Sequence, residues 1–352
     1  HVLVAKEGGV YWITGGFGGL GRLFAIYFGK QSKNLTLILS GRSPVEEKQF
    51  ESLKEIVGAN INLIYEQCDV SQKKSVSDNV AKILHQYHKI DGIIHSAGVI
   101  RDSLLIRKNL DYLKDVVNPK VLGIINLDDA TKDLPLDYFL FFSSESGAFG
   151  NGGQTDYAAA NAFMDAFAMR RNQLRERGLR SGKTLSINWP LWKEGGMRVT
   201  NHVEKEIFDL TGIVPLESNN GTQSLDFMLS VEASQIFIAQ GNTEKIKEFY
   251  HILPHFSENV EVHSFKSIGD EDLLRDEQLS SKTDSDTAKK STCINQLRQM
   301  ISRMTSLPCE EINFSLPLNR LALGNFEFVA LQRELEAYFL TPIPFTLFRN
   351  HG

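Results

Sequence analysis

Short apolar runs alternate with amphipathic stretches along the first 250 or so residues, and this alternation constrains the fold more than any other feature. The runs are rich in Ile, Val and Phe, as buried strands are: VYWIT, LTLILS, INLIYEQCDV, DGIIHSAGV, DYFLFFSS, TLSINW and QIFIAQ. Helical periodicity marks several of the intervening stretches, namely Leu20–Lys30, Val45–Val57 and Ser75–Tyr87. Strand–helix alternation predicts a parallel β-sheet covered by helices on both faces.

The composition changes after this region. The sequence SIGDEDLLRDEQLSSKTDSDTAKKS is polar, charged and rich in Ser, which is typical of a linker. Beyond it, Cys293–Leu307 and Phe326–Phe339 have helical patterns. We therefore predict an α/β domain over residues 1–255, a linker over 256–290 and a small all-α module over 291–352.

Charge and cysteine content narrow the classes of protein. A net charge of -5 and a pI near 6.0 argue against nucleic acid as the main partner. The three cysteines have no disulfide or zinc spacing, so we expect no metal site and a reducing, cytoplasmic location. No stretch approaches the length of a membrane span. The chain has neither a signal peptide nor an initiator Met, so we expect it to derive from a longer polypeptide.

Five glycines fall within seven residues between the first predicted strand and the first predicted helix: Gly15, Gly16, Gly18, Gly19 and Gly21. A turn that needs positive φ requires only one or two glycines. A strand, a glycine-rich turn and a helix together form the pyrophosphate site of a Rossmann-like, doubly wound fold, where helix amides meet the anion. The predicted contacts in this loop are Thr14, Gly15, Gly16, Phe17, Gly18, Gly19 and Leu20.

The ends of three other strands complete this predicted dinucleotide site. Arg42, in LSGRS with Ser40, takes the place where an acidic residue binds the ribose of NAD, which favours NADPH. A solvated surface role for Arg42 is the alternative. Asp69, followed by Val70, either meets the adenine or caps the next helix. In HSAG, His95 is expected to be structural, and the crevice is lined by Ser96, Ala97 and Gly98.

The stretch FFSSESGAFGNGGQTDYAAANAFMDAF carries the predicted catalytic residues. Ser144 ends a strand, and Tyr157 and Asn161 share a helix face because they are four residues apart. The chain here resembles the short-chain dehydrogenase/reductase superfamily, and specifically the ketoreductase domains of modular polyketide synthases. The resemblance covers residues 8 to about 250. Its motifs are TGGFGGLG, SGR, DV, HSAGV, NPKV, FSS, YAAANAFMD and NWPLW.

The resemblance implies a reaction and roles for these residues. Ser144 would bind the substrate carbonyl, and Tyr157 would donate a proton. Most of the superfamily has a lysine four residues after the tyrosine; here Asn161 takes that position, and NPKV supplies the lysine as Lys120. We expect the Lys120 ammonium to lower the pKa of Tyr157 from about 10. The implied reaction is the NADPH-dependent reduction of a β-ketoacyl thioester on an acyl carrier protein, next to other synthase domains, in antibiotic biosynthesis by a multifunctional enzyme.

The resemblance also bears on stereochemistry. The last residue of a Leu-Asp-Asp triplet survives as Asp102, and Phe149 stands where the opposite class has a Trp, so we expect a B-type enzyme that forms a D-hydroxyl. An N-cap is the alternative role for Asp102. Family members carry a mobile lid over the substrate, and residues 193–214 of this sequence correspond to it. We expect Met197 on its substrate side and Gly195 and Gly196 as its hinges.

Two departures from the family accompany the resemblance. The N-terminal structural subdomain of complete ketoreductases is absent from this sequence. The tail resembles an acyl carrier, but Gly324 and Asn325 replace its Asp-Ser, so we expect no phosphopantetheine there. The alternative functions are a freestanding reductase of small ketones and a non-reducing scaffold that docks neighbouring domains.

Overall fold

The computed structural model describes residues 4–103, 107–196 and 200–251, together with positions 299 and 302. The chain divides into two compact units, and residues 4–150 and 154–251 belong to the first. The predicted linker, almost all of the predicted helical module, Met197 and Asn325 lie outside the described residues.

Strands and helices alternate from the start of the described chain. The strands are β1 Val10–Thr14, β2 Thr36–Gly41, β3 Asn62–Gln67, β4 Gly92–His95, β5 Tyr138–Ser144, β6 Lys183–Trp189, β7 Ile213–Val214, β8 Gln235–Phe237 and β9 Gln240–Gly241. The helices are α1 Gly19–Gln31, α2 Glu47–Val57, α3 Lys73–Tyr87, α4 Leu110–Thr131, α5 Glu145–Phe149, α6 Thr155–Glu176, α7 Asn201–Thr211, α8 Ser218–Ser230 and α9 Thr243–His251.

Seven strands form one parallel sheet in the order β3-β2-β1-β4-β5-β6-β8. The strand order reverses direction between β1 and β4, so a crevice opens there at the carboxyl ends of the strands. The short strands β7 and β9 pair antiparallel beside this sheet. The Rossmann-like, doubly wound sheet predicted from the sequence is therefore confirmed.

Two apolar layers cover the sheet. Residues of α1, α2 and α8 pack on one face, where Phe24 meets Trp189 and Trp192 in a cluster of buried rings. Residues of α3, α4 and α6 pack on the other, around Ile93 and Phe139. Both faces of the central strands are buried, which explains why these strands have continuous apolar sequences rather than alternating ones. No helix in the described ranges is long and apolar enough to cross a membrane.

Several predicted strands end earlier than their apolar sequences do. The third run stops at Gln67, and the fourth stops at His95, before the chain leaves the sheet as a loop. The last run bends after Phe237, and Gln240 and Gly241 pair with β7 instead. Apolar content continues past each strand because these loop residues also contact the core. The predicted helices agree with α1, α2 and α3 to within two residues at each end.

Candidate active site

The glycine loop joins β1 to α1 at the point where the strand order reverses. Gly15 has φ +65°, and a Cβ atom there would lie 2.8 Å from the main chain of Ala97. A Cβ atom at Gly21 would lie 2.4 Å from the carbonyl oxygen of Gly15. Both contacts bring the loop, the start of α1 and the end of β4 close together. The first-turn amides of α1 then point from a helix N-terminus toward the crevice.

The side-chain hydroxyls of two predicted cofactor-binding residues, Thr14 and Ser40, form hydrogen bonds within the sheet. Thr14 Oγ1 lies 2.8 Å from His95 Nδ1, and Ser40 Oγ accepts a hydrogen bond of 2.9 Å from the Trp12 indole. Thr14 and Ser40 are fully buried. Their side chains therefore hold neighbouring strands together beneath the loop, and His95 has the structural role expected of it. Gly16 is used similarly, since its amide donates to the Ser40 carbonyl over 3.0 Å.

The remaining cofactor candidates lie along the same edge of the sheet. Arg42 is exposed directly after β2, and its carbonyl accepts a bond of 2.9 Å from Gln67. Asp69 accepts bonds from the amide and hydroxyl of Ser71, at 3.0 and 2.7 Å, whereas the N-cap of α3 is Gln72. The helix cap that we considered for Asp69 is therefore not formed. Val70 is buried, and Phe17 packs edge-on against Tyr65.

Three predicted catalytic side chains converge at the ends of β4 and β5. Lys120, on α4, places Nζ 5.2 Å from the centroid of the Tyr157 ring on α6. The same ammonium donates to the carbonyl oxygen of Phe142 over 3.1 Å, and its stem passes under Gly98, where a Cβ atom would lie 3.0 Å from Lys120 Cε. Ser144, at the end of β5, lies close enough to the Tyr157 hydroxyl to lower its pKa. The structure thus brings Lys120, Tyr157 and Ser144 together.

Ser144 and Asn161 have partners that fix their orientation. Ser144 Oγ accepts bonds from the amide and hydroxyl of Ser146, at 3.2 and 3.1 Å, which leaves the Ser144 proton to be donated elsewhere. Asn161 donates from Nδ2 to the main-chain oxygen of Tyr157 over 2.7 Å, and its own main-chain oxygen accepts a bond from Ser143 over 3.3 Å. Asn161 therefore holds the turn of α6 that carries Tyr157 against β5.

Burial dominates the electrostatics of the site. Lys120 is 3% exposed, and burial lowers its pKa to about 7, although the negative charge of Asp165 opposes this shift. Burial likewise raises the pKa of Tyr157, and hydrogen bonds with Asn161 and Ser144 only partly offset it. Our expectation that Lys120 lowers the Tyr157 pKa is therefore wrong for the chain alone. The loss of hydration of the phenolate outweighs the favourable interactions.

A protonated Tyr157 nevertheless has the form that a proton donor needs. Two carboxylates, Asp102 and Glu145, further raise its pKa. Glu145 is a group that the sequence reasoning missed, although it directly follows Ser144. Burial raises the pKa of Glu145 to about 7.

A second missed residue, Asp165, lies at the centre of a buried polar network behind the site. Its oxygens accept bonds from Ser186 Oγ at 2.5 Å and Asn188 Nδ2 at 2.9 Å. Asn188 Nδ2 also donates to the main-chain oxygen of Ser144 over 2.9 Å. Burial raises the pKa of Asp165. The network therefore ties the end of β5 to β6 and α6. Its sequence signal was Asp165 itself, an acidic residue two turns beyond Tyr157 on the same helix.

The predicted substrate-side residues lie on the connections around Tyr157. Asp102 accepts a bond of 3.0 Å from Gln154 Nε2, and the N-cap of α4 is Asn109. Phe149 is 5% exposed and packs edge-on against Phe237, with ring centroids 5.0 Å apart. A Cβ atom at Gly19 would lie 2.0 Å from the Gly195 carbonyl oxygen, so the predicted hinge contacts the glycine loop.

The KR domain family profile matches residues 9–194, more than half of the 352 residues. This chain belongs to the KR domain family, the ketoreductases of polyketide synthases. The matched range contains the glycine loop, Lys120, Ser144 and Tyr157. In the part of the chain that the structure describes, no group of three or more His, Cys, Asp or Glu side chains could hold a metal ion.

Two curated relatives come from Bacillus subtilis (strain 168). This ketoreductase domain is 48% identical to polyketide synthase PksN over 243 residues, which is 69% of this chain and 4% of PksN. It is 37% identical to polyketide synthase PksL over 346 residues, 95% of this chain and 7% of PksL. A solved ketoreductase domain from the bacillaene assembly line is 41% identical, with a TM-score of 0.66, and the match covers 69% of this chain and 58% of that one. The chain thus spans a small part of its curated relatives.

Proposed function

We propose that this ketoreductase domain uses NADPH to reduce the β-keto group of a carrier-bound acyl thioester to a β-hydroxyl of B-type, D configuration. The observation that carries the proposal is the convergence of Lys120, Ser144 and Tyr157. They supply a cation, a hydroxyl and a phenol beside the crevice where the strand order reverses. The similarity to PksN and to the bacillaene ketoreductase supports the substrate class.

The residues at this crevice fit a dinucleotide. The amides of Gly19, Leu20 and Gly21 lie in the first turn of α1 and have no acceptor within the helix, so they suit a pyrophosphate. Arg42, exposed after β2, would bind a ribose 2′-phosphate, which distinguishes NADPH from NADH. Ser96, Ala97 and Gly98 would line the wall between the loop and Lys120.

In the proposed reaction, the bound cofactor supplies a hydride for the carbonyl carbon. Ser144, whose acceptor sites Ser146 occupies, would donate a hydrogen bond to the carbonyl oxygen and hold the ketone in place. Tyr157 would transfer its phenolic proton to that oxygen as the C–O π bond becomes an alkoxide pair. The remaining phenolate would be stabilised by Lys120. The products are the hydroxyl, NADP⁺ and a Tyr157 that must regain a proton.

The stereochemical proposal rests on the groups beside Tyr157. The charge of Asp102 raises the pKa of Tyr157, and Asp102 accepts a bond from Gln154, next to the turn of α6 that carries Tyr157. Phe149 is turned into an apolar contact with Phe237. This arrangement favours entry beside Asp102, as in the class that keeps the acidic triplet.

The decisive experiment follows NADPH oxidation by the purified protein with a β-ketoacyl N-acetylcysteamine thioester and resolves the product by chiral chromatography. The proposal expects stoichiometric formation of the D-β-hydroxyacyl thioester. A higher kcat/KM for simple ketones would instead indicate a freestanding reductase. NADPH binding without turnover of any thioester would indicate a docking scaffold. An L-hydroxyl product would reject only the B-type assignment.

The C-terminal sequence is part of the proposal as a carrier-like segment that lacks the attachment serine. The match to PksL over 95% of the chain includes most of residues 291–352, which supports a synthase context for them. Neighbouring domains of the synthase would complete the assembly. Treatment with a phosphopantetheinyl transferase and coenzyme A should leave the mass unchanged. A gain of the arm's mass would contradict the assignment at Asn325.

A further inference from the structure

One ion pair beside the site is buried almost completely. Lys108 Nζ lies 2.7 Å from Asp156 Oδ1, and the two side chains are 2% and 1% exposed. Removing two charges from water is costly, so a buried pair contributes little net stability compared with apolar side chains of similar size. Its stabilising effect alone therefore does not account for this pair, and its position in the molecule suggests another role.

The Lys108–Asp156 pair joins two segments that flank the candidate active site. Lys108, just before α4, also donates to the main-chain oxygen of Arg101 over 2.8 Å. Asp156 Oδ1 also accepts the amide of Tyr157 over 2.9 Å. Two hydrogen bonds and one ion pair therefore lead from residue 101 to the backbone of Tyr157. Asp156 Oδ2 is buried without a hydrogen-bond partner, so Oδ1 makes all the described contacts of this carboxylate.

A second contact runs parallel to this one. Gln154, the residue before α6, donates a hydrogen bond of 3.0 Å to the Asp102 carboxylate. Asp102 in turn acts on the Tyr157 hydroxyl, whose pKa it raises. The Arg101 carbonyl and the Asp102 carboxylate thus each connect to the first turn of α6. A shift of residues 101 and 102 would change the space beside Tyr157.

We infer that Lys108 and Asp156 are positioning residues for substrate orientation, because they hold the segment with Asp102 against the turn of α6 that carries Tyr157. This inference rests on the proposed function. Neither side chain is proposed to touch the reacting atoms. They act through Arg101, Asp102 and Tyr157, so their loss should affect the binding and facial selectivity of the ketone more than the affinity for NADPH. Reacting groups displaced by about 1 Å lose up to roughly 100-fold in rate.

The test uses the full chain with Lys108→Met and Asp156→Asn combined. This double variant removes the ion pair without burying an unpaired charge, keeps the length of the Lys108 stem and retains an acceptor for the Tyr157 amide. Its control is Lys73→Met with Asp129→Asn, which removes an exposed ion pair of 2.5 Å between α3 and α4. Circular dichroism and thermal unfolding establish that both variants fold.

We expect the double variant to show a KM for the thioester raised about tenfold, a measurable fraction of the opposite hydroxyl enantiomer and an NADPH Kd within about twofold of the native value. Lys108→Arg, which keeps the charge, should retain more selectivity than Lys108→Met. Hydrogen exchange should be faster at residues 99–103 in the double variant only. Unchanged KM, enantiomer ratio and exchange in a folded double variant would overturn the inference.

These outcomes separate the two proposals. If the native protein reduces no thioester, the proposed function fails, and the exchange comparison still decides whether the pair holds residues 99–103. If the native protein is active and selective, and the double variant behaves in the same way, only the positioning role is rejected. An exchange rate that rises equally in the control pair would also reject it.

Discussion

Lys120 Nζ lies 5.2 Å from the centroid of the Tyr157 ring and donates to the Phe142 carbonyl oxygen on the strand that ends at Ser144. Two helices and one strand therefore meet at a single ammonium group. The arrangement gives Lys120 simultaneous contact with the proton donor and with the strand that orients the hydroxyl. A ketoreductase requires this combination, since a phenol releases its proton readily only where the phenolate is stabilised.

Tyr157→Phe removes the proposed proton donor and keeps the ring. We expect kcat to fall by about 10²- to 10⁴-fold, because positioned acids contribute that much to a proton transfer. The Kd for NADPH should stay within about twofold, since the glycine loop holds the cofactor in the proposal. Steady-state assays of thioester reduction measure kcat, and fluorescence titration with NADPH measures the Kd.

Tyr87→Phe is the matched control for this change. Tyr87 ends α3 and is remote in sequence from the site. Its hydroxyl accepts only a long bond of 3.4 Å from Asn62. Its kcat should equal that of the native protein. Residual activity of Tyr157→Phe above about a tenth of the native value would mean that another group, such as water, delivers the proton.

The alternation of strands and helices could be predicted because periodicity is local. The glycine loop could also be predicted, since the spacing of its glycines reflects both the turn at Gly15 and the close backbone approach at Gly21. The partners of the Thr14 and Ser40 hydroxyls could not be predicted, because the same sequence pattern places a hydroxyl at a strand end toward either a ligand crevice or a neighbouring strand. Here His95 and Trp12 bind these hydroxyls.

The electrostatics of the site were the least accessible part. A sequence shows the charge of Lys120 but not its burial, and burial is what sets the pKa values of Lys120 and Tyr157. The Lys108–Asp156 pair was missed for the same reason. Isolated charged residues in a sequence are usually solvated, and only the packing of the loop before α4 onto α6 buries this pair.

Lys120→Met should reduce activity and remove a pH dependence. In the native protein we expect the reduction rate to fall as the pH rises through about 7, because Lys120 then loses the charge that stabilises the Tyr157 phenolate. In Lys120→Met the reduction rate should be much lower at every pH, and this alkaline limb should be absent. Rate profiles measured between about pH 5 and 9 test both statements. An unchanged limb in the variant would assign the titration to another group.

The same substitution should stabilise the fold. The unfolded chain keeps the ordinary Lys pKa of 10.5, so between about 7 and 10.5 it binds more protons than the native state, and the free energy of unfolding of the native protein rises with pH. Below that window the full cost of burying the ammonium applies. Lys120→Met should therefore raise the free energy of unfolding by on the order of 3–5 kcal/mol near pH 6 and by much less near pH 10. Urea titrations at the two pH values measure the difference, and equal gains at both would contradict burial as the cause.

Arg42→Ala tests the cofactor preference. If Arg42 binds the 2′-phosphate, the ratio of kcat/KM for NADPH over NADH should fall by about 10- to 100-fold, since a charge-assisted contact to a phosphate is lost. Arg177→Ala, at the exposed C-cap of α6, serves as the control and should leave the ratio unchanged. A ratio unaffected in Arg42→Ala would show that Arg42 is the solvated surface residue of the alternative interpretation.

Asp165→Asn tests the buried network behind Ser144. An amide keeps only one of the two oxygens that accept from Ser186 and Asn188, so the network loses one acceptor and its negative charge, which should loosen the support of the Ser144 main chain. We expect kcat to fall about tenfold. The alkaline limb should also move about one pH unit lower, because the negative charge of Asp165 favours the Lys120 ammonium.

Asp226→Asn is the matched control for Asp165→Asn, because Asp226 accepts a bond of 2.7 Å from Tyr27, on the face of the sheet covered by α1 and α8. It should change neither kcat nor the limb. The two effects of Asp165→Asn separate its roles, since loosened support lowers kcat at every pH whereas a lost charge displaces the limb. A lowered kcat with an unmoved limb would leave Asp165 as support for Ser144 only, and if neither quantity changes, the network does not act on the site.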